Sequence, residues 1–232
     1  IWIKYPENLK YEKKLSYEKK VMNKIIDNIE LLNLKRYQQY FHYSVQNWLP
    51  FYWRGFSQTT RYTYVIENTS NLEEIISSFN PNIRNQTRKA KKNVSISDDM
   101  SIENFYAINK MTFTRQGIDM PYSFELLKRL DNECMRRKCR KILYAFDKDG
   151  NIHSAAYFVF DNDSVYYLMS GSNPDYRYSQ SLTLLIFEGI KMAHSLNKKF
   201  DFEGSMKENI ENFFRQFGAK QKSYHNVYKD FI

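Results

Sequence analysis

The 232-residue chain is 42% hydrophobic and 17% aromatic, enough apolar surface for a packed core, and its 26% charged residues are ordinary for a soluble globular protein, with no low-complexity tail or solenoid repeat. Lys and Arg outnumber Asp and Glu by 35 to 26, and the net charge of +9 favours anionic partners: nucleic acid, an anionic cofactor or acidic lipid. No apolar run approaches the length of a membrane span and nothing resembles a secretory leader, so a cytoplasmic protein with no transmembrane segment is expected, one that opens on Ile1 rather than Met as a piece of a longer chain would.

In chain order, Met22, Ile25, Ile26, Ile29 and Leu32 recur at helical spacing and predict a helix over about residues 12–32. A strand is expected in RYQQYFHYSV, an aromatic loop in NWLPFYWRGF, and a second strand over residues 61–67. Trp48, Phe51, Tyr52, Trp53 and Phe56 supply either buried packing area or a stacking surface, and Arg54 among them suits a phosphate or a carboxylate. Ser70 is placed to cap the helix that follows. Pro81 then opens a helix on which Arg84, Arg88 and Lys91 fall on one face. Lys89 and Lys92 flank them, Ile83, Thr87 and Ala90 fall on the other side, and no carboxylate lies between Glu74 and Asp98. That face is either a solvated surface or an anion site.

From residue 93 the expected order is β-α-α-β-β-β-α-β-α-β. Ser101 and Ser123 are candidate helix caps, and KDGN and ND are hairpin turns. A strongly apolar helix over residues 180–196 carries Leu182, Leu185, Ile186, Ile190 and Ala193 on its buried stripe. The strand after this crossover is FDFEGS. Alternation sends Phe200 and Phe202 into a core and puts Asp201 and Glu203 together on the opposite face. Gly204 ends the run where substrate can approach, and Ser205 is placed to cap the next helix. This order predicts a mixed α/β sheet, mostly antiparallel, with a ligand crevice beside the crossover strand.

Cys134 and Cys139 lack a second ligand pair for zinc, and five residues apart on a helix they are poorly placed to bridge, so free thiols are expected. The four histidines, at 42, 153, 194 and 225, show no ligand spacing and read as structural; no metal site is expected. For Glu203 and Asp201 two readings stand: taking a proton from an attacking amine or holding an ammonium group, or serving as surface partners of Lys198, Lys199 or Arg215.

YWRGF followed by RYTYVIE, then RNQTRKAKKNV, FDFEGS and NFFRQFGA, resembles the FemAB-like branch of the GNAT superfamily along nearly the whole chain. The resemblance implies a partial GNAT-like domain over 1–80, containing only its second half, a basic linking helix over 81–92, and a complete GNAT-like domain over 93–232. It implies an acyl- or aminoacyltransferase that forms an amide on an amine, with acetyl-CoA or aminoacyl-tRNA as donor. The acceptor would be a small molecule or a cell-wall precursor. Arg84, Arg88, Lys89, Lys91 and Lys92 would hold donor phosphates, together with Arg177, Ser179 and Ser181 in DYRYSQSLT. Gly204, Arg54 and Trp53 would line the cleft. Two departures follow: DYRYSQSLT has no glycine where the family turns its backbone toward a pyrophosphate, and Phe213 and Phe214 stand where many members place an acidic tyrosine. Tyr224 and Tyr228 are the substitutes on the last strand, Tyr224 being taken into the candidate catalytic set with Glu203 and Asp201. The alternative is a degenerate module that binds nucleic acid or a protein partner without catalysis.

Overall fold

The computed structural model describes residues 3–204 and 206–231. In chain order the elements are α1 (Tyr11–Leu31), β1 (Arg36–Tyr40), α2 (Leu49–Trp53), β2 (Ser57–Ile66), α3 (Leu72–Ser78), α4 (Pro81–Asn93), β3 (Ser95–Ser97), α5 (Ile102–Arg115), α6 (Phe124–Arg136), β4 (Arg140–Phe146), β5 (Ile152–Phe160), β6 (Ser164–Ser172), a 3-10 turn (Pro174–Ser179), α7 (Ser181–Ser195), β7 (Lys199–Asp201), α8 (Glu208–Arg215) and β8 (Lys220–Asp230). Mixed α/β architecture, with a mostly antiparallel sheet flanked by helices, is what the sequence order predicts. The chain packs as two compact units, Ile1–Thr63 with Gln221–Ile232, and Tyr64–Lys220.

In the first unit the strand order is β1-β8-β2. Met22, Ile26 and Ile29 of α1 form a core with Phe41, Phe51, Phe56 and Val227. The aromatic segment expected as a loop contains a short helix instead, α2, with Pro50 in its first turn, where the missing N–H costs nothing. Its Phe51 is buried and stacks edge-on against Phe41 and Phe56, so part of this aromatic cluster is packing.

In the second unit the order is β2-β7-β6-β5-β4-β3, with the last residues of β2 pairing antiparallel to β7. Among the described pairs of this unit all are antiparallel except β6 with β7, which the crossover helix α7 joins in parallel. The face of α7 that holds Leu184, Leu185, Ile186 and Ile190 is buried in a core with Phe158, Phe200, Phe202 and Phe217. Ser101 and Ser123 cap α5 and α6 as expected, each accepting a backbone N–H three residues on. Asn71, not Ser70, caps α3: its Oδ1 accepts from the N–H groups of Glu73 and Glu74, while the Ser70 hydroxyl turns to Asn68. Ser205 and its expected cap lie outside the described residues. The helical spacing assumed for the two cysteines also fails, because α6 ends at Arg136, between them.

Gly171 of β6 packs against α5. A Cβ there would collide with the Ile108 carbonyl and fall 2.5 Å from Asn109 N and Cα, backbone atoms that cannot swing aside. Gly171→Ala is expected to lower stability by roughly 1–3 kcal/mol, seen as a lower urea midpoint with an unchanged slope.

Candidate functional site

β7 runs beside β6 for only three residues: Ser164 pairs with Lys199, Val165 with Phe200 and Tyr166 with Asp201. There β7 stops. The Asp201 side chain accepts the Glu203 N–H at 2.8 Å, and Glu203 takes φ 59, the left-handed region, followed by Gly204 at φ 72. β6 continues to Ser172, so residues 167–172 have no strand beside them on the β7 side. On that open side Asn109 Nδ2 donates to the Ser170 carbonyl at 2.6 Å and the Ser172 N–H donates to Thr112 Oγ1 at 3.2 Å. Backbone groups alternate sides along a strand, so the Ser170 N–H faces the same opening. Against β5, Tyr157 and Phe158 face Met169 and Tyr167, which leaves Leu168 as a bulge at this point.

The opening holds a cavity of about 600 Å³ lined by β6 from Tyr167 to Ser170, by Phe202, Glu203 and Gly204, by Thr112 and Arg115 of α5, and by Phe213 and Phe214 of α8. Glu203 presents surface to solvent, but its carboxyl is flanked by protein. Loss of hydration, reinforced by the nearby Asp201 carboxylate, pushes its pKa up to about 7. Asp201 is itself only 3% exposed. The expected face shared by two carboxylates therefore does not form: the strand ends before Glu203, and the turn built by Asp201 aims Glu203 alone into the cavity. Tyr167 is buried, donates its hydroxyl to Ser170 Oγ, and has its pKa raised to about 12 by burial.

A second cavity, of about 310 Å³, adjoins the first and shares Thr112, Arg115, Ser170, Leu182 and Phe213 with it. Its remaining lining is hydroxyl- and amide-rich, with Arg177 as a second cation and no carboxylate among the described residues. Ser154 Oγ lies 2.7 Å from Ser181 Oγ and 2.9 Å from Ser172 Oγ, tying the start of α7 to β5 and β6. Thr183 donates to Gln86 of α4 at 2.9 Å. The glycine-free turn reaches a left-handed conformation nevertheless: Gln180, between the 3-10 turn and α7, has φ 59 and ψ 24. For a residue with a Cβ this costs about 1–2 kcal/mol. The N-terminus of a 15-residue helix, with its partial positive charge, therefore opens toward this cavity.

The other residues singled out in the sequence are distributed as follows. Arg177 and Ser181 line the second cavity, and buried Ser179 supports it, donating to the Tyr176 carbonyl at 2.8 Å. α4 buries Ile83, Thr87 and Ala90 as expected, leaving its cations outward. Arg84 donates to the carbonyls of Ser77 and Phe79 and so closes the end of α3. Arg88 bonds Asn85, Lys91 lies 5.0 Å from the Phe187 ring centre, and Lys89 and Lys92 are exposed. None of these five lines either cavity. In the first unit, Arg54 is paired with Asp27 and Glu30, Trp53 lies under the Lys19 ammonium, and Tyr224 stands edge-on to Tyr40. Thr112, Ser154, Ser170 and Ser172 are small polar residues scattered over a helix and two strands, and Arg115 is a lone cation at a helix end, so none of them carries a spacing signal in the sequence.

The acetyltransferase (GNAT) domain profile matches residues 77–208, which span the whole β6–α7–β7 opening. The chain belongs to the GNAT acetyltransferase family. Among solved structures, FemX shares this GNAT fold with a TM-score of 0.71 and 12% identity, over 89% of this chain and 76% of that one. A conserved protein of unknown function from Bacteroides thetaiotaomicron aligns with a TM-score of 0.62 and 9% identity, over 91% of this chain and 75% of its own. A functionally unknown conserved protein from Staphylococcus epidermidis follows, at 0.52 and 13%, over 91% and 81%. No curated protein matches by sequence. Family membership makes this GNAT chain an N-acyltransferase. Among its described residues no helix is long and apolar enough to cross a membrane.

A buried amide is one of the groups that hold the open edge of β6. Asn109 is 2% exposed, donates to the Ser170 carbonyl and accepts the Tyr122 hydroxyl at 2.6 Å. Asn109→Ala removes the side-chain donor to the Ser170 carbonyl and leaves the Tyr122 hydroxyl only the weak Met169 Sδ acceptor at 3.1 Å, and is expected to cost about 1–3 kcal/mol in chemical unfolding, with Tyr122→Phe costing less.

Proposed function

We propose that this GNAT domain transfers an acyl group from acyl-CoA to a primary amine, forming an amide. The observation that carries the reading is the pair of adjoining cavities along the unpaired edge of β6, cationic and hydroxyl-lined at one end and bearing one carboxylate at the other. Donor phosphates would lie against Arg177 and the start of α7. The acyl carbonyl would lie along β6, where the Ser170 N–H meets the oxyanion as the amine nitrogen attacks. Glu203 accepts the proton that the amine sheds as the C–N bond forms. Collapse of the tetrahedral intermediate then breaks the C–S bond and releases the thiolate.

The leaving group favours a thioester donor. A thiol, with an ordinary pKa of about 8.5, departs as thiolate without an acid, whereas the ribose oxygen of an aminoacyl ester needs a proton. Phe213 and Phe214 supply none, and the Tyr167 hydroxyl is engaged with Ser170. Direct titration with acetyl-CoA is expected to give saturable binding, weakened about tenfold or more by Arg177→Ala; no binding by the wild-type chain would reject this donor.

As a base, Glu203 must be ionised. With its pKa near 7, kcat/KM calculated for the unprotonated amine is expected to rise with pH, reach half its plateau near 7 and level off above. Glu203→Gln should lower kcat by about 10²–10⁴ and remove the limb assigned to Glu203. A Glu203→Gln enzyme with undiminished turnover would sink the mechanism.

The outward cations of α4 favour one second reading, in which a polyanion such as charged tRNA binds there for aminoacyl transfer or for binding alone. Binding would then weaken with salt, with a slope of about 0.7–0.9 per phosphate contact. Survival of that binding in Glu203→Gln, with no turnover by the wild type, would mark the non-catalytic case.

A further inference from the structure

The two cysteines of the chain flank the end of α6, and neither lines the two cavities. The helix ends at Arg136, Arg137 caps it, and Lys138 takes φ 53. The Lys138 N–H then bonds the Met135 carbonyl at 2.9 Å and the Cys139 N–H bonds the Cys134 carbonyl at 3.0 Å. These two bonds define a Schellman turn, in which the residue beyond the left-handed position folds back on the third residue from the helix end. Here those residues are Cys139 and Cys134. The Cys139 sulfur lies 3.6 Å from the Cys134 carbonyl oxygen. Cys134 is buried and Cys139 half-buried. Burial, and next the Cys139 thiol beside it, push the Cys134 pKa up.

We propose that Cys134 and Cys139 are a reactive dithiol that closes to an intramolecular disulfide by exchange with a small disulfide such as oxidised glutathione. The more accessible Cys139 thiolate attacks one glutathione sulfur, breaking its S–S bond and releasing one glutathione thiolate. The Cys134 thiolate attacks the Cys139 sulfur of the mixed disulfide and releases the second. Two protein thiols are oxidised, two glutathione thiols form, and the two protons go to the released thiolates. The surroundings favour the exchange: Arg136, Arg137, Lys138 and Arg140 crowd the turn, and although Glu133 and Asp131 partner three of them, Lys138 is exposed and without an ion pair among the described residues, so an anionic disulfide is attracted. The same two sulfurs, held by one turn, suit a trivalent arsenical, which bridges two thiols with loss of water. The pair also touches the interior. The Tyr157 hydroxyl, which donates to Asp131 at 2.8 Å beside the Arg140 ion pair, lies against the Cys134 thiol, and Tyr157 is the β5 residue opposite Met169 at the β6 bulge.

The test uses the folded chain, whose only cysteines are these two. It is incubated with oxidised glutathione, alkylated with iodoacetamide and digested with trypsin, which cuts between the cysteines at Arg136, Arg137 and Lys138. The expected result is a protein lighter by two hydrogens, unalkylated, yielding two peptides joined by one bond that dithiothreitol separates. Phenylarsine oxide should protect both thiols at one equivalent. Cys134→Ser should stop at a glutathione adduct on Cys139. Two alkylated cysteines, a stable glutathione adduct in the wild type, or closure only in denaturant would each overturn the proposal.

Discussion

The site depends on one hydrogen bond, from the Glu203 N–H to the Asp201 side chain. A parallel strand beside β6 would otherwise go on taking up its N–H and C=O groups. By drawing the chain into a left-handed turn after Asp201, the bond ends β7 after three residues and leaves the neighbouring strand half unpaired. An unpaired edge inside a fold is costly unless its groups find partners. Asn109 and Thr112 satisfy two of them from α5, and the cavity beside Ser170 is where a carbonyl from another molecule can take a third.

The second constraint is the start of α7. Without glycine, the chain reaches the left-handed conformation at Gln180 at some energetic cost, and three serines from three elements hold the result in place. Hydroxyls suit this position because each can donate or accept as its neighbours require, so the cluster satisfies itself without charge and leaves the cations at the rim for a ligand. A carboxylate in its place would have cancelled Arg177 and Arg115.

Most of the fold was legible in the sequence because the signals were local. Serine caps at 101 and 123, the Gly150 hairpin, the apolar stripe of α7 and the alternation of Phe200 with Asp201 are each decided within a few residues. The site was legible only in part. Glu203, Gly204, Arg177 and Ser181 line the cavities, but the geometry that aims Glu203 comes from a turn that strand alternation conceals. Strand alternation places Asp201 and Glu203 on one face only when it is continued two residues past the point where the backbone leaves it. The cations of α4 stood out by density, and Arg84 illustrates why density misleads: its guanidinium serves two helix-end carbonyls that no spacing rule exposes. Arg115, alone at the end of α5 and lining both cavities, carried no signal.

Asp201 therefore acts on Glu203 in two ways that cannot be separated by position alone. Its side chain fixes the turn through the backbone N–H, and its negative charge adds to the loss of hydration that pushes the Glu203 pKa up to about 7. A carboxylate with an ordinary pKa near 4.3 would be ionised at neutral pH but would hold a proton only weakly. Raised to about 7, the same group is both substantially ionised and basic enough to accept a proton as an amine attacks, which is where a general base is most effective. The residue that ends the strand and so opens the site is thus the residue that helps set the basicity of the carboxylate that lines it.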